Sequence, residues 1–179
     1  MEELQGSRTE QNLKEAYQKE SGARNRYCYF AKKAKKEGYE HIARIFEETE
    51  HNERQHAKIW FKELYGDIPD TEDNLCAAAA TEHEEWAAMY NRMEDEAKAE
   101  GFHEIAQKFR LAAEVEKRHE SRFSSLHKAM KDDKVFEKDS EVKWQCLHCG
   151  YLHTGKEAPE ECPLCGEEQE HFALKEELH

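Results

Sequence analysis

The sequence predicts an all-α four-helix bundle followed by a small metal-bound module of short strands and turns. Three observations carry this. The chain of 179 residues has only three prolines and eight glycines, and a chain poor in both and rich in Ala, Glu and Lys favours long helices. From about residue 9 to residue 130, apolar side chains recur at steps of three and four, the period of one helix face. Near the end, four of the six cysteines fall in two C-x-x-C pairs. The expected organisation is a bundle over residues 1–130, a linker over 131–141 and a cysteine module over 142–179.

Each helix follows from its stripe. In the first, Leu13, Ala16, Glu20, Ala23, Tyr27, Phe30 and Ala34 share a face. In the second the face is Ile42, Phe46, Thr49, Glu53, His56, Trp60 and Leu64. The third carries Leu75, Ala78, Glu82, Glu85, Met89 and Met93, and the fourth Ile105, Phe109, Ala112, Glu116, His119, Phe123 and Leu126. Breaks fall near Gly38, at GDIPDTED (Gly66 to Asp73) and near Gly101, where Gly, Pro and capping acids interrupt the period. The charged stretch KDDKVFEKDSE (Lys131 to Glu141) has no apolar period and reads as the linker.

Charge narrows the function classes. The net charge of −13 argues against a nucleic-acid backbone or an anionic membrane as the main partner. The start, MEELQGSRTEQN, lacks a basic segment followed by an apolar run, so no secretory signal is expected. No stretch approaches the 18 or so apolar residues of a membrane span. Cysteines in such a chain suit metal binding better than disulfides, and the expected location is cytoplasmic. Cys28 and Cys76, alone on separate helices, read as small buried hydrophobes. His83 and the other histidines outside the inward stripes read as surface groups.

The helical region repeats itself. KAKKEGYEHIARIFEETEHNERQHA resembles EDEAKAEGFHEIAQKFRLAAEVEKRHE at an offset of 63, matching Gly38 with Gly101, Phe46 with Phe109, Glu53 with Glu116 and His56 with His119. Two pseudo-symmetric helix pairs facing one centre are expected. Every helix therefore turns at least one glutamate inward, and two follow it with His three residues on. Five carboxylates gathered in a core cost several kcal/mol each unless compensated, and no Lys or Arg lies on these stripes. Multivalent cations are the remaining compensation, and oxygen donors with one imidazole per metal suit iron or manganese. One Glu from each of two helices and Glu-x-x-His from the other two is the donor pattern of dinuclear carboxylate bundles.

At the other end, Cys146-x-x-Cys149 and Cys162-x-x-Cys165 can wrap one tetrahedral ion, with 12 residues between the pairs and Gly150 and Gly166 just after them. Spacing alone leaves zinc and mononuclear iron open. Trp144, Tyr151 and Phe172 can enclose the site, and so small a module depends on its metal to fold.

YQKESGARNRYCYFA, NERQHAK, TEHEEWAAMY and EVEKRHE, with CGYLHTGKEAPEECPLCG, resemble the rubrerythrin family of ferritin-like di-iron proteins over nearly the whole chain. The resemblance implies that Glu53 and Glu116 bridge two irons, with Glu20 and Glu82 as terminal ligands and His119 on one iron. The second iron takes Glu85 when oxidised and exchanges it for His56 when reduced. It also implies one redox-active iron on the four cysteines, as in a rubredoxin-like module. The implied activity is reduction of hydrogen peroxide to water, with electrons from an NAD(P)H-dependent reductase or rubredoxin-type donor; no nucleotide-binding loop is visible in this chain. A head-to-tail homodimer is implied too. Tyr27 and Tyr90 are candidate hydrogen-bond donors to ligand carboxylates, balanced against a plain core role. These tyrosines keep the offset of 63, whereas Glu20 and Glu82 are 62 apart. The extra residue between Glu82 and Tyr90 predicts a π-bulge. The competing classes are a ferroxidase or iron-handling protein and a zinc-stabilised structural protein.

Overall fold

The computed structural model describes residues 4–175. The chain divides into two compact units, one ending at Pro69 and the other beginning at Asp70, inside the expected GDIPDTED loop.

The first unit is a helical hairpin of α1 (Arg8–Lys36) and α2 (Glu40–Tyr65). Ser7 starts α1 by accepting a hydrogen bond from the Glu10 backbone N–H at 3.0 Å, while Glu10 Oε2 accepts one from the Gly6 N–H; together they satisfy donors that a helix start leaves unpaired. The helix stops at Gly38, whose φ of 83° suits glycine, and the Tyr39 N–H donates back to the Ala34 carbonyl at 2.9 Å. The pair packs closely because the side chains it buries are small: Ala23, Ala31 and Ala34 on α1 and Ala43 and Ala57 on α2. Tyr27 and Phe46 stack with centroids 6.1 Å apart.

In the second unit, α3 (Thr71–Glu84), capped by Asp70, runs into a π segment (Glu85–Met89) and then α4 (Tyr90–Ala99). The expected extra residue between Glu82 and Tyr90 is therefore absorbed as a π turn. A left-handed Gly101 (φ 86°) ends α4, with the Phe102 N–H donating to the Ala97 carbonyl at 2.8 Å. That repeats the Gly38 turn residue for residue at an offset of 63. α5 (His103–Lys131) follows, and Tyr90 meets Phe109 at 6.1 Å, again echoing Tyr27 and Phe46.

After α5 come β1 (Glu137–Cys146), β2 (Leu152–Glu157) and β3 (Phe172–Leu174), in an antiparallel sheet of order β2-β1-β3. Strand β1 begins at Glu137, not after Glu141, so half of the expected linker belongs to the module. Glu137 pairs with Glu157, and a register irregularity separates it from the regular ladder starting at Val142 and Gly155. Strand β3 covers only Trp144 to Cys146. The segment before Val142 is thus a two-stranded ribbon in which only Lys138 is half-buried, and apolar alternation never shows in it. Trp144, Cys146, Ala158, Cys162 and Phe172 form the module's core, flanked by Phe136, Val142 and Tyr151.

Two expectations are corrected. Cys28 is half-buried and Cys76 is exposed, so Cys76 is not a core residue. Ile42 and Ile105, read from periodicity as core, are 46% and 44% exposed.

Candidate metal centres

Three clusters of metal-ligating side chains stand out among the described residues. In the first unit, α1 supplies Glu20 and α2 supplies Glu53 and His56, with their donor atoms within 4.8 Å of one another. The three-residue step from Glu53 to His56 keeps both on one face, and His56 Nδ1 lies 3.1 Å from Glu53 Oε2. A shared hydrogen bond sets the two carboxyls apart: it raises Glu20, with burial and the charge of Glu53 adding to the effect, and it lowers Glu53.

The second unit repeats the arrangement. Glu82 comes from α3, and Glu116 and His119 from α5, again within 4.8 Å. His119 Nδ1 is 2.7 Å from Glu116 Oε2 and 3.5 Å from Glu82 Oε2. Burial raises Glu82, and its contact with Glu116 and the charges of Glu116 and Glu85 raise it further. The Tyr90 phenol is raised by burial and then by the charges of Glu116, Glu85 and Glu82, so it remains a hydrogen-bond donor across the ordinary pH range. Glu85 opens the π segment half-buried and acts electrostatically on Glu82 and Tyr90, but stands outside the triad. Its side chain borders an open cavity with Thr81, Ala88, Met89 and Arg92. Tyr27 packs on Phe30 and Phe46.

Sequence reasoning missed one group here. The Trp60 indole Nε1 is buried without a hydrogen-bond partner among the described residues, one turn beyond His56. Its position on the apolar stripe marked it only as bulk.

The third cluster is Cys146, Cys149, Cys162 and Cys165. The two knuckles are alike. The Gly150 N–H donates to the Cys146 carbonyl and the Gly166 N–H to the Cys162 carbonyl, both at 2.9 Å, and both glycines have positive φ, 81° and 78°. A tetrahedral ion with bonds of about 2.3 Å to sulfur requires sulfurs about 3.8 Å apart. Cys146 and Cys165 lie 3.8 Å apart and Cys149 and Cys162 3.7 Å, so the cage has the size such an ion needs. Burial opposes ionisation of Cys162, but the Leu164 and Cys165 backbone N–H groups and the neighbouring thiols bring it down to about 7. The Glu167 N–H favours the Cys165 thiolate, yet burial and bonds from Cys149, Cys162 and Cys146 push it up to about 12. A cage with one thiol poised to ionise and another held back is short of positive charge, which a bound cation supplies.

The two triads pass the same test of chemistry. Each gathers two carboxylates and one imidazole, an oxygen-rich set suited to iron, and each holds a carboxyl raised by a like-charged neighbour. The metal-free protein therefore has a characteristic pH response. A carboxyl whose folded value lies above the ordinary 4.5 costs stability when ionised, so lowering the pH from neutral through its range relieves that cost. Glu53, held low, acts in the opposite sense, and its contribution is lost only below 4.5. The thermal midpoint of the helices in metal-free protein, followed by helical circular dichroism, is expected to rise as the pH falls from neutral towards 5 and to reverse below 4.5; a monotonic fall contradicts this.

Comparison with known proteins gives a consistent result. The family model described as Rubrerythrin matches residues 11–81 and 73–148, and that described as Rubrerythrin, rubredoxin-like domain matches residues 144–173. Rubrerythrin-1 of Clostridium acetobutylicum is 44% identical over 193 residues, covering 99% of this chain and 99% of the relative. Rubrerythrin of Porphyromonas gingivalis is 45% identical over 181 residues, with 94% and 90% covered. Rubrerythrin of Nitratidesulfovibrio vulgaris is 44% identical over 186 residues, with 97% of each chain covered.

Proposed function

Because the chain belongs to the rubrerythrin family, we propose that it is a cytoplasmic peroxide reductase that defends against oxidative stress. It reduces hydrogen peroxide to water with two electrons and two protons per turnover, drawn from an NAD(P)H-dependent reductase or a rubredoxin-type donor. The observation that carries the reading is the presence, in one chain, of a four-thiolate cage and two carboxylate–imidazole triads. Storage of iron needs no thiolate cage, and a structural ribbon needs no triads.

In this reading Glu20, Glu53, His56, Glu82, Glu85, Glu116 and His119 hold two irons, and Cys146, Cys149, Cys162 and Cys165 hold a third. When bound, the irons supply paired electrons for O–O cleavage at the carboxylates and a one-electron relay at the thiolates. The protein's own contribution is positional. Glu53 and Glu116 each lie beside a histidine one turn along the same helix, so a carboxylate and an imidazole can be presented together to one cation. Tyr90, kept protonated by burial and then by its acidic neighbours, can donate a hydrogen bond to a carboxylate, and Tyr27 stands at the matching position on α1. Glu85 is the carboxylate beyond the minimal set, and the adjoining cavity leaves its side chain room to move. It is the ligand proposed to exchange with His56. A head-to-tail homodimer completes the reading, with the thiolate cage of one copy serving the carboxylates of the other.

The test is Glu85→Ala. Peroxide turnover with a reducing partner is expected to fall at least about tenfold, while helix content by circular dichroism is unchanged. Unchanged turnover removes Glu85 from the site. Oxygen-driven iron oxidation without peroxide turnover in the unaltered protein selects the ferroxidase reading instead.

A further inference from the structure

Beside the triad of the second unit lies a second layer of side chains, and each of its members immediately follows an expected ligand. His83 follows Glu82, Trp86 follows Glu85, Lys117 follows Glu116, and Glu120 follows His119. These four interlock. The Trp86 Nε1–H donates to Glu120 Oε2 at 2.5 Å, and His83 Nδ1 lies 3.1 Å from Glu120 Oε1. The His83 and Trp86 rings meet edge to face at 5.2 Å, and Lys117 Nζ sits 5.0 Å from the centre of the Trp86 ring. One carboxylate on α5 therefore ties down both the end of α3 and the second residue of the π segment.

The first unit offers an internal control. There the residues following the expected ligands are Ser21, Arg54 and Ala57, and among the described residues no hydrogen bond or ion pair joins them. The half with the tie is the half with the π turn, and this coincidence has a physical reason. A π turn has poorer backbone hydrogen bonding than an α turn and persists where tertiary contacts hold it. Were it to relax to α-helix, the residues beyond it would rotate by about 100° relative to those before. Glu82 and Glu85 could then no longer share a face with Tyr90.

We propose that Glu120 is a positioning residue: through Trp86 and His83 it holds the π turn in place and so sets the presentation of Glu85. The proposal rests on the reading of Glu85 as a ligand, but its first readout does not. In full-length metal-free protein, Glu120→Ala is expected to speed amide hydrogen exchange over residues 86–90 at least fivefold while α5 and the first unit stay unchanged. Glu120→Gln, which keeps an oxygen acceptor for the indole, is expected to restore exchange to within twofold of the unaltered protein. In a second readout, ferrous titration of Glu120→Ala is expected to show at least fivefold weaker binding of one iron of the pair.

Exchange over residues 86–90 that is unchanged in Glu120→Ala, or accelerated equally throughout the second unit, overturns the proposal. Failure of Glu120→Gln to restore it does the same. If Glu120→Ala does not fold, Trp86→Phe removes the donor while keeping a ring, and the same local acceleration is required. Absence of peroxide turnover in the unaltered protein would strike the functional reading while leaving the exchange result standing.

Discussion

Cys162→Ser is expected to cost the protein one iron per chain and the folded state of its C-terminal sheet, with the helices intact. Cys162 is 1% exposed and is one of five side chains that make up the module's core. Such a core cannot offset the chain entropy of some forty residues without help, and metal binding at a four-thiolate site contributes on the order of 10 kcal/mol or more. Serine leaves an incomplete cage and a buried hydroxyl in place of the thiol with the strongest drive to ionise. The loss is visible as a fall from three irons to two and as exposure of Trp144, now 1% exposed, in fluorescence. Donor-linked peroxide turnover should fall at least about a hundredfold, because the relay is gone, while chemically reduced protein still consumes peroxide. A variant that keeps Trp144 buried without metal would show that the sheet folds by packing alone.

Glu116→Ala has an effect whose sign depends on the metal. In the metal-free protein Glu116 is a like charge against Glu82, which burial already raises, so removing it relieves repulsion while giving up the His119 contact, and the thermal midpoint should not fall. In the iron-loaded protein the same change removes a ligand, so the midpoint should fall, and peroxide turnover should drop at least about a hundredfold. A functional site carries this signature when its groups are tolerated for chemistry at the expense of stability. Scanning calorimetry of both proteins with and without iron gives four midpoints. If the variant shifts the same way in both states, Glu116 is an ordinary structural carboxylate.

Much of this was legible in the sequence, for reasons that differ by element. The fold class, four long helices followed by a small sheet, followed from the 3.6-residue period and the paired cysteines. The π segment was legible from arithmetic alone, since Glu20 to Glu82 and Tyr27 to Tyr90 differ by one residue. Glu53–His56 and Glu116–His119 were legible because a three-residue step on a helix leaves little geometric freedom. What could not be read depended on contacts between elements. Glu120 sits one position off the inward stripe, where a carboxylate is usually solvated, and only packing of α3 on α5 gives it Trp86 and His83. Trp60 was readable as apolar bulk, but not as an indole N–H lacking a partner. The early start of β1 was hidden because a largely exposed ribbon has no need to alternate. The exposure of Ile42 and Ile105 belongs to the same class, since period reports which side of a helix is apolar and not how deeply each residue is covered.

The single surplus residue between Glu82 and Tyr90 has a consequence for the equivalence of the two repeated halves. Point substitutions between two repeated halves erode their equivalence gradually. An added residue accommodated as a π turn breaks it at once, because it changes angular phase along one helix while leaving both ends, and their glycine turns, in register. Shortening residues 86–89 by one, without touching any ligand, would then remove the difference in phase between the halves and leave their differences in residue type. Duplicated-half chimeras would reveal it: a protein built from two copies of the first half should gather matched carboxylates and have no counterpart of Glu85.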